Sequence, residues 1–447
     1  MNNQQLKTNN YWLLTNNYWL LTSDYWLTTS DYWLSTITFL TLKTFNSMFS
    51  PSIEILNKYA DVLVNFALRN GKWIKKWDVV FVYIPESAKA FYIPLQETIL
   101  KAGWHPIMKY MAEWVAKNFY ELASNQQLQF LPDAYKKWEI ESKTHHIDIL
   151  AEMDKHELKW IEPKKIMMRI KANYPYKELL NKKEREKNFS WTVGLFGTPA
   201  MAKEVWLSLK AYRDQIIQAC FLDKKNPVKK WKEINSWMIK EKDKLDKLQI
   251  EYLHIKGEDV DLNIKIGKDR RWKAGNGINI PSFEIFTSPD KRETNGRIRF
   301  NQPLYRYGSL IKWIEIEFKD WKIVKASAKE NDKLFQDMIK IPWMEYVGEF
   351  SLTDARTSRI TKFMWETLYD ENVWWKYGNT HIALWRAFDE CYNGDISKLD
   401  DPKFKESIGL NTSAEHVDII STTNRTVTAT LQDWSKKIIY ENWQFTI

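Results

Sequence analysis

One segment limits the fold more than any other: a continuous apolar run, DVVFVYI, from Asp78 to Ile84. An apolar run without alternation is typical of a strand that is buried on both faces of a sheet. A stretch with helical spacing follows from Ser87 to Ala102, and a second short apolar segment runs from Pro106 to Tyr110. Strand, helix and strand in so short a stretch predict a βαβ unit, which requires a parallel sheet and a right-handed crossover.

The predicted secondary structure changes from mixed helix and strand to mostly strand near residue 250. Helix-like and strand-like segments alternate up to about residue 220, and a charged amphipathic helix is predicted over 227–250. Strand-like runs such as YLHIKGEDVDLNIKI dominate from residue 251 onward. We therefore expect an α/β N-terminal domain with a mostly parallel sheet over 48–250, and an α+β, β-rich C-terminal domain over 251–447.

Residues 1–47 differ from the rest of the chain. Within them, 9–36 read NNYWLLT, NNYWLLT, SDYWLTT and SDYWLST, a period of seven in which the apolar residues are contiguous. Contiguous apolar residues do not form the stripe of a coiled coil. Met48 follows, and then Ser50 and Pro51, a cap and a first-turn proline that mark a helix start. We expect the functional protein to begin at Met48, with 1–47 outside the fold; a genuine disordered tail is the alternative.

Composition excludes several classes of protein. The net charge is +9, but Lys and Glu are interspersed and no long basic run occurs, so we expect a solvated surface and no nucleic-acid partner. The only two cysteines, Cys220 and Cys391, form no disulfide framework, which fits a reducing interior. No window approaches the roughly 20 apolar residues that span a bilayer. A cytoplasmic protein without a membrane partner is the expectation.

Tryptophan occupies turn positions where glycine is expected. The chain has 24 tryptophans, and three of them stand between strand-like runs in the pairs Asp320-Trp321, Asp433-Trp434 and Asn442-Trp443. Asp-Gly and Asn-Gly are the pairs that two-residue hairpins require, because the second position needs positive φ. Tryptophan there costs roughly 1 kcal/mol or more.

A decoding mismatch is the economical hypothesis for these residues. UGA codons that specify glycine in the source would have been translated as tryptophan, and the same mechanism could account for Trp12, Trp19, Trp26 and Trp33 in the tail. Trp191, Trp231 and Trp272 stand in ordinary apolar contexts and read as authentic. The alternative is a Trp-rich, basic binding module that stacks sugars on aromatic rings. UGG codons at positions 321, 434 and 443 would refute the mismatch.

Five residues carry the clearest chemistry. His416-Val417-Asp418 places imidazole and carboxylate on one face of a probable strand. His381 opens another strand-like run, and Glu284 and Glu349 stand in apolar settings where an unpaired carboxylate is costly. Three carboxylates and two imidazoles suit one or two zinc- or cobalt-like ions, with satisfied core polar groups as the alternative. His145, His146 and His156 have no such carboxylate pattern around them, and we expect them to lie in a polar helical region.

Ordered motifs connect the chain with a known family. In the second half these are NIPSFEIFTSPDKRETNGRI, VGEFSL, GNTHIALWRAF and SAEHVDII. In the first half they are SPSIEILNKYADVLV, KKWDVVFVYIP, KAGWHP and WTVGLFGTPAMAKEVW. From 48 to 447 the chain resembles the M29 family of metallopeptidases, the thermophilic aminopeptidase group.

The resemblance implies a metal-dependent aminopeptidase, a homodimer that acts on peptides. It implies that 251–447 is the catalytic domain and holds two divalent ions, zinc or cobalt, that activate a water. The implied ligands are Glu284, Glu349, His381, His416 and Asp418, and Glu349 is the expected proton shuttle. The family has glycine where this chain has Trp73, Trp77, Trp104, Trp313, Trp321, Trp343, Trp375 and Trp385.

One departure from the family pattern concerns catalysis. The family has a tyrosine seven residues after the first histidine ligand, and this chain has Phe388 there. A phenyl ring donates no hydrogen bond, and the loss of one such donor can cost about 10²–10³ in rate. Tyr377 and Tyr392 stand nearby as possible substitutes. The alternative function is therefore a metal-binding relative with little or no peptidase activity.

Overall fold

The computed structural model describes residues 50–68, 77–275, 277–340, 343–374, 379–413 and 416–447. Contacts divide the chain into Met1–Pro51 and Ser52–Ile447, and the second unit is compact. The repeat segment and the expected start at Met48 lie outside the described residues, as do Trp73, Trp375 and Tyr377.

A five-stranded parallel sheet forms the N-terminal part of the fold. With strands numbered in chain order, it contains β1 (Val79–Pro85), β2 (His105–Met111), β3 (His145–Leu150), β4 (Ser190–Leu195) and β8 (Asn279–Ile280). Their order is β2-β1-β3-β4-β8, and every neighbouring pair is parallel. The predicted βαβ unit and parallel sheet are confirmed.

Helices connect and cover these strands. The β1–β2 crossover is a 3₁₀ turn, Glu86–Phe91, continued by α2 (Tyr92–Lys101). The chain enters the fold through α1 (Ile53–Asp61) and a π-helical turn, Val62–Ala67. The remaining helices before the second sheet are α3 (Val115–Leu122), α4 (Asn125–Gln129), α5 (Asp133–Ser142), α6 (Pro163–Arg185), α7 (Pro199–Glu204), α8 (Leu209–Ala219) and α9 (Pro227–Lys247). The last of them confirms the helix predicted over 227–250.

Two local predictions in this part are wrong. The side chain that caps α1 belongs to Ser52, whose Oγ accepts from the Ile55 amide at 3.3 Å, and not to Ser50. His145 and His146 lie buried in β3 rather than in a polar helix. The prediction failed because the strand is short and polar residues precede it in the sequence. His156 lies in a turn and not in a helix.

Antiparallel sheets make up the second part. The larger sheet has the order β14-β13-β10-β6-β5-β18-β19-β20. Its strands are β5 (Ile250–Gly257), β6 (Val260–Lys265), β10 (Thr294–Arg299), β13 (Glu315–Lys319), β14 (Lys322–Ser327), β18 (Arg425–Leu431), β19 (Lys436–Glu441) and β20 (Gln444–Phe445). A second sheet, β17-β16-β15-β9-β7, consists of β7 (Lys273–Ala274), β9 (Glu284–Thr287), β15 (Val347–Thr353), β16 (Asn379–Trp385) and β17 (His416–Ser421). The predicted β-rich C-terminal region is confirmed.

Smaller elements complete the fold. A two-stranded ribbon pairs β11 (Leu304–Arg306) with β12 (Ser309–Ile311). Short helices are α10 (Asp332–Ile339), α11 (Thr367–Asp370), α12 (Pro402–Ser407) and the 3₁₀ turns Asp389–Cys391 and Ile396–Asp400. No helix within the described ranges has the length and apolar character that a bilayer crossing requires.

The described residues form two large hydrophobic cores and one small cluster, and α9 contributes to both large cores. Trp231, near its start, packs in the first core, and Met238, about two turns later, packs in the second. Ile280 and Phe283, which follow the expected border in sequence, belong to the first core. The border at residue 250 stays a prediction.

The predicted hairpin turns are found at two of three positions. Asp320 and Trp321 join β13 to β14 with φ of 48° and 67°, and Asn442 and Trp443 join β19 to β20 with φ of 49° and 62°. Positive φ at both positions defines the type I′ turn. Trp434 also has positive φ, 66°, but it lies in a longer loop between β18 and β19, so the two-residue turn predicted there is wrong.

Positive φ is concentrated at tryptophan throughout the described chain. Ten tryptophans have it: Trp77, Trp114, Trp206, Trp313, Trp321, Trp343, Trp365, Trp385, Trp434 and Trp443. Trp104 does not, but its buried indole N–H has no hydrogen-bond partner. Trp191 and Trp231 lie outside the positive-φ region and donate to Glu184 and the Cys220 carbonyl, respectively. The backbone thus supports the decoding hypothesis, which the codons test.

Candidate metal centre

Four neighbouring strands bring the five predicted ligands together. Glu284 starts β9, Glu349 lies on β15, His381 on β16, and His416 and Asp418 on β17. Residues that are more than a hundred positions apart in the sequence, such as Glu284 and Asp418, thus lie within one set of neighbouring strands of one sheet. The alternation of side chains in a strand is the reason that His416 and Asp418 point the same way.

The register leaves space between the ligands. Ala383 pairs with Glu349 on one side and with Asp418 on the other. Ser351 occupies the equivalent place opposite His381. Because both intervening residues are small, the longer side chains around them converge above the sheet.

The donor atoms form two groups that share one carboxylate. In the first group, His381 Nε2 lies 3.3 Å from Glu284 Oε2 and 3.7 Å from Glu349 Oε1. In the second, His416 Nε2 lies 2.9 Å from Glu349 Oε2 and 3.1 Å from Asp418 Oδ1. Within each group the ligand atoms all lie within 4.8 Å of one another. The two oxygens of Glu349 therefore face different groups.

Hydrogen bonds orient these side chains from outside the groups. The hydroxyls of Ser282 and Ser351 donate to the two oxygens of Glu284, at 3.2 and 3.0 Å. His416 Nδ1 donates to the Arg386 carbonyl at 2.8 Å. A carbonyl only accepts, so Nδ1 carries a proton, and Nε2, which faces the carboxylates, is the nitrogen that would ligate a metal.

Burial and mutual charge perturb the ionisation of the group. Burial raises the pKa of Glu284 to about 7, although His381 opposes this effect. Burial disfavours the His381 imidazolium, but the three neighbouring carboxylates outweigh burial and raise the pKa of His381 to about 9. The pKa of Asp418 falls to about 2, because His416 outweighs burial. Buried carboxylates with this demand for positive charge fit a divalent cation.

A cavity of about 170 Å³ opens over the ligands. Phe388 lines it, with its ring centroid 4.8 Å from that of His416 and 5.3 Å from that of Phe286. The volume is several times the roughly 30 Å³ share of one water in the liquid. Tyr392, named above as a substitute for the missing tyrosine, is not among the residues that line this cavity.

Two further carboxylates, Glu371 and Glu390, line the cavity, and neither was singled out from the sequence. Glu371 is only 4% exposed, and burial together with Glu284, Asp418 and Glu349 raises its pKa well above the ordinary value. The signal available in the sequence was a charged pair within an apolar stretch, Leu-Tyr-Asp-Glu-Asn-Val. That signal does not distinguish it from Asp370, which bonds backbone amides instead.

A comparison with protein-family models assigns the chain to a family. The family model described as thermophilic metalloprotease (M29) matches residues 53–445. The chain belongs to the M29 metalloprotease family. Its membership confirms the predicted metallopeptidase class.

Named relatives and one solved structure extend over most of the chain. Aminopeptidase PepS of Streptococcus thermophilus is 25% identical over 421 residues, 88% of this chain and 98% of the relative. Aminopeptidase T of Thermus thermophilus is 24% identical over 394 residues, 82% of this chain and 93% of the relative. The structure of wild-type AmpT from Thermus thermophilus matches with a TM-score of 0.75 at 21% identity, covering 88% of this chain and 99% of that one. The fold of this M29 member is thus the fold of AmpT.

Proposed function

We propose that this metalloprotease is an aminopeptidase that removes N-terminal residues from peptides with the help of two divalent metal ions. The observation that carries the proposal is the position of Glu349, whose two oxygens face two separate donor groups. The names of the relatives, all aminopeptidases among those compared above, supply the reaction class.

The donor groups assign ligands to ions. Glu284, Glu349 and His381 would hold one ion, and Glu349, His416 and Asp418 the other, with Glu349 as the bridge. Nitrogen and carboxylate donors suit zinc or cobalt. Because the two oxygens of Glu349 face different donor groups, both would be used if two ions were held, and we therefore assign this residue to metal binding rather than to the proton transfer expected from the sequence.

The residues around the ions have defined tasks. Ser282 and Ser351 hold the Glu284 carboxylate, and the Arg386 carbonyl holds His416 in the ligating tautomer. When bound, a pair of divalent ions acidifies water and polarises a peptide carbonyl. The apolar rings of Phe286 and Phe388 border the cavity and limit the access of bulk water to this reaction.

Release of nitroaniline from aminoacyl-nitroanilides tests the proposal. We expect turnover by the protein loaded with zinc or cobalt, loss with a chelator, and no cleavage of the N-acetylated substrate. His416→Ala should lose most turnover and one of the two bound ions per chain, measured by mass spectrometry of the metal content. His156→Ala, which removes a histidine paired with Glu204 in a turn, is the matched control.

The second candidate function is a metal-binding relative with little peptidase activity, and Phe388 is the observation in its favour. Two bound ions without chelator-sensitive turnover would support this candidate. Absence of both ions and turnover would contradict the metal centre itself. We further expect a homodimer in the cytoplasm, which native mass measurement and cell fractionation test.

A further inference from the structure

The last turn of α6 contacts the wall of the cavity. Its final residue, Arg185, places Nη1 2.8 Å from Asp389 Oδ2. Asp389 stands between Phe388 and Glu390, which both line the cavity. We call residues 386–392 the wall segment. A helix of the N-terminal part of the fold thus holds a segment of the C-terminal part that borders the candidate metal centre.

The pair between Arg185 and Asp389 is shielded from solvent. Both side chains are 12% exposed, so water and salt weaken their attraction far less than that of a surface pair. Arg185 Nη2 also lies 2.6 Å from Asp400 Oδ1, and Lys405 Nζ lies 2.9 Å from Asp389 Oδ2. By contrast, Lys182, about one turn earlier on α6, lies 4.0 Å from Asp400, and both of these side chains are about half exposed. Of the two cations on α6, Arg185 is therefore the one that holds the wall segment.

Two more contacts join the same end of α6 to the cavity. The indole N–H of Trp191, which lines the cavity, donates to Glu184 Oε1 at 3.0 Å. Arg386, the first residue of the wall segment, places Nη1 3.6 Å from Glu178 Oε1. The carbonyl of Arg386 is the one that accepts from His416. The wall segment is thus connected on one side to α6 and on the other to a candidate metal ligand.

We propose that Arg185 is a positioning residue for the substrate cavity, because it fixes the wall segment that places Phe388 beside the metal centre. This inference rests on the proposed aminopeptidase function. Arg185 is not among the residues that line the cavity, so it acts through Asp389. A substrate in the cavity meets the ring of Phe388. When the wall segment is loose, part of the binding energy is spent on ordering it, and the substrate binds more weakly.

Hydrogen exchange of the full chain, followed by mass spectrometry, tests the hold on the wall segment. The amides of Phe388 and Tyr392 donate to Ser288 Oγ at 2.8 Å and to the Asp389 carbonyl at 3.1 Å, so they exchange only when the segment moves. In Arg185→Met, exchange over 386–392 should be at least tenfold faster, whereas exchange over β15 should not change. Asp389 keeps its second cation in this variant, so the protein should fold, which melting curves check.

Binding of leucinamide tests the consequence for the substrate. Calorimetric titration into the zinc-loaded full chain should give a Kd at least fivefold higher for Arg185→Met than for the parent, at an unchanged number of bound zinc ions. Arg185→Lys keeps the charge but not the two-pronged geometry, so its Kd should lie between these two values. Lys182→Met, which removes the exposed cation, is the matched control and should change neither Kd nor exchange by more than twofold.

A double variant assigns the effect to the pair between Arg185 and Asp389. In an Asp389→Asn background the pair is already broken. Adding Arg185→Met to this background should therefore raise Kd less than twofold, because substitutions at two residues of one interaction are not additive. A full fivefold increase in this background would show that Arg185 acts through another contact and would overturn the role of Asp389.

The outcomes separate this inference from the proposed function. Parent-like exchange or a parent-like Kd in Arg185→Met would overturn the positioning role even if the protein hydrolyses nitroanilides. An equal loss in Lys182→Met, or a parent that does not bind leucinamide, would also overturn it. Faster exchange and weaker binding in Arg185→Met, combined with absent hydrolysis by the parent, would keep the positioning role and reject the enzymatic function.

Discussion

At the scale of single residues, Phe388 bears most directly on whether the protein has peptidase activity. Its ring lies beside His416 at the edge of the cavity, where the family pattern has tyrosine. Packing is preserved by the phenyl ring, and only the hydroxyl is lost. We therefore expect a change at Phe388 to affect turnover without affecting metal binding.

Phe388→Tyr should raise kcat at least tenfold with no change in bound metal. The reason is that a hydroxyl added at this ring can donate to negative charge that develops on the substrate carbonyl, an interaction with a typical effect of 10²–10³ in rate. Steady-state kinetics on leucyl-nitroanilide measure it. Phe286→Tyr, on the neighbouring ring of the cavity wall, is the control and should not raise kcat. An unchanged kcat in Phe388→Tyr would show that the reaction proceeds without this donor.

Trp321→Gly should increase the free energy of unfolding by about 1 kcal/mol, because glycine adopts positive φ without the clash that a Cβ causes. Urea denaturation followed by circular dichroism measures the change. Trp160 is also exposed but lies outside the positive-φ region, so Trp160→Gly should not stabilise the protein. Equal effects of the two substitutions would argue against conformational strain at the turn.

At the scale of elements, ion pairs fix α5 to the parallel sheet. Glu139 of α5 is buried and lies 3.0 Å from Lys109 of β2 and 3.1 Å from Lys143. Tyr83 of β1 donates to the same carboxylate. Burial alone would raise the pKa of Glu139, but the hydrogen bonds from Tyr83 and Lys109 and the charge of Lys143 lower it to about 2. One carboxylate thus joins a helix to two strands.

Glu139→Gln should lower the free energy of unfolding by about 2 kcal/mol at pH 7, less than for a fully buried pair because Lys109 is partly exposed. The native pKa lies below the ordinary value of 4.5, so the native state binds fewer protons than the unfolded state. The stabilisation is therefore complete above about pH 4.5 and is lost as the pH falls towards 2. Urea titrations at pH 7 and pH 3 should show the two proteins converging at the lower pH.

The proposed metal centre belongs to the scale of the whole molecule, because its candidate ligands come from four strands between residues 284 and 418. Ions that bind only the native state stabilise it by about 2.7 kcal/mol at a free concentration of 100 Kd. We expect a chelator to lower Tm by several degrees and zinc to restore it, measured by scanning calorimetry. His416→Ala should show a smaller shift, and His156→Ala the full one. A Tm that does not respond to chelator or zinc would contradict a structural contribution of the ions.

Much of the fold could be predicted from the sequence because its signals are local. The apolar run at β1, the amphipathic α9 and the turn pairs at Trp321 and Trp443 depend on neighbours a few residues away. Where the local signal is weak, prediction failed: the buried histidines of β3 stand among polar residues, and the loop at Trp434 has a length that the Asp-Trp pair does not specify.

By itself, the sequence determined the βαβ start, the β-rich second half, the family and the five candidate ligands, since periodicity and ordered motifs are properties of the chain. Only the tertiary structure decided that Glu349 faces both donor groups and that Glu371 lies at the same cavity. The reason is physical. Strand register and burial set these distances, and the amide that orients Glu371 belongs to Asn279, 92 residues away in sequence.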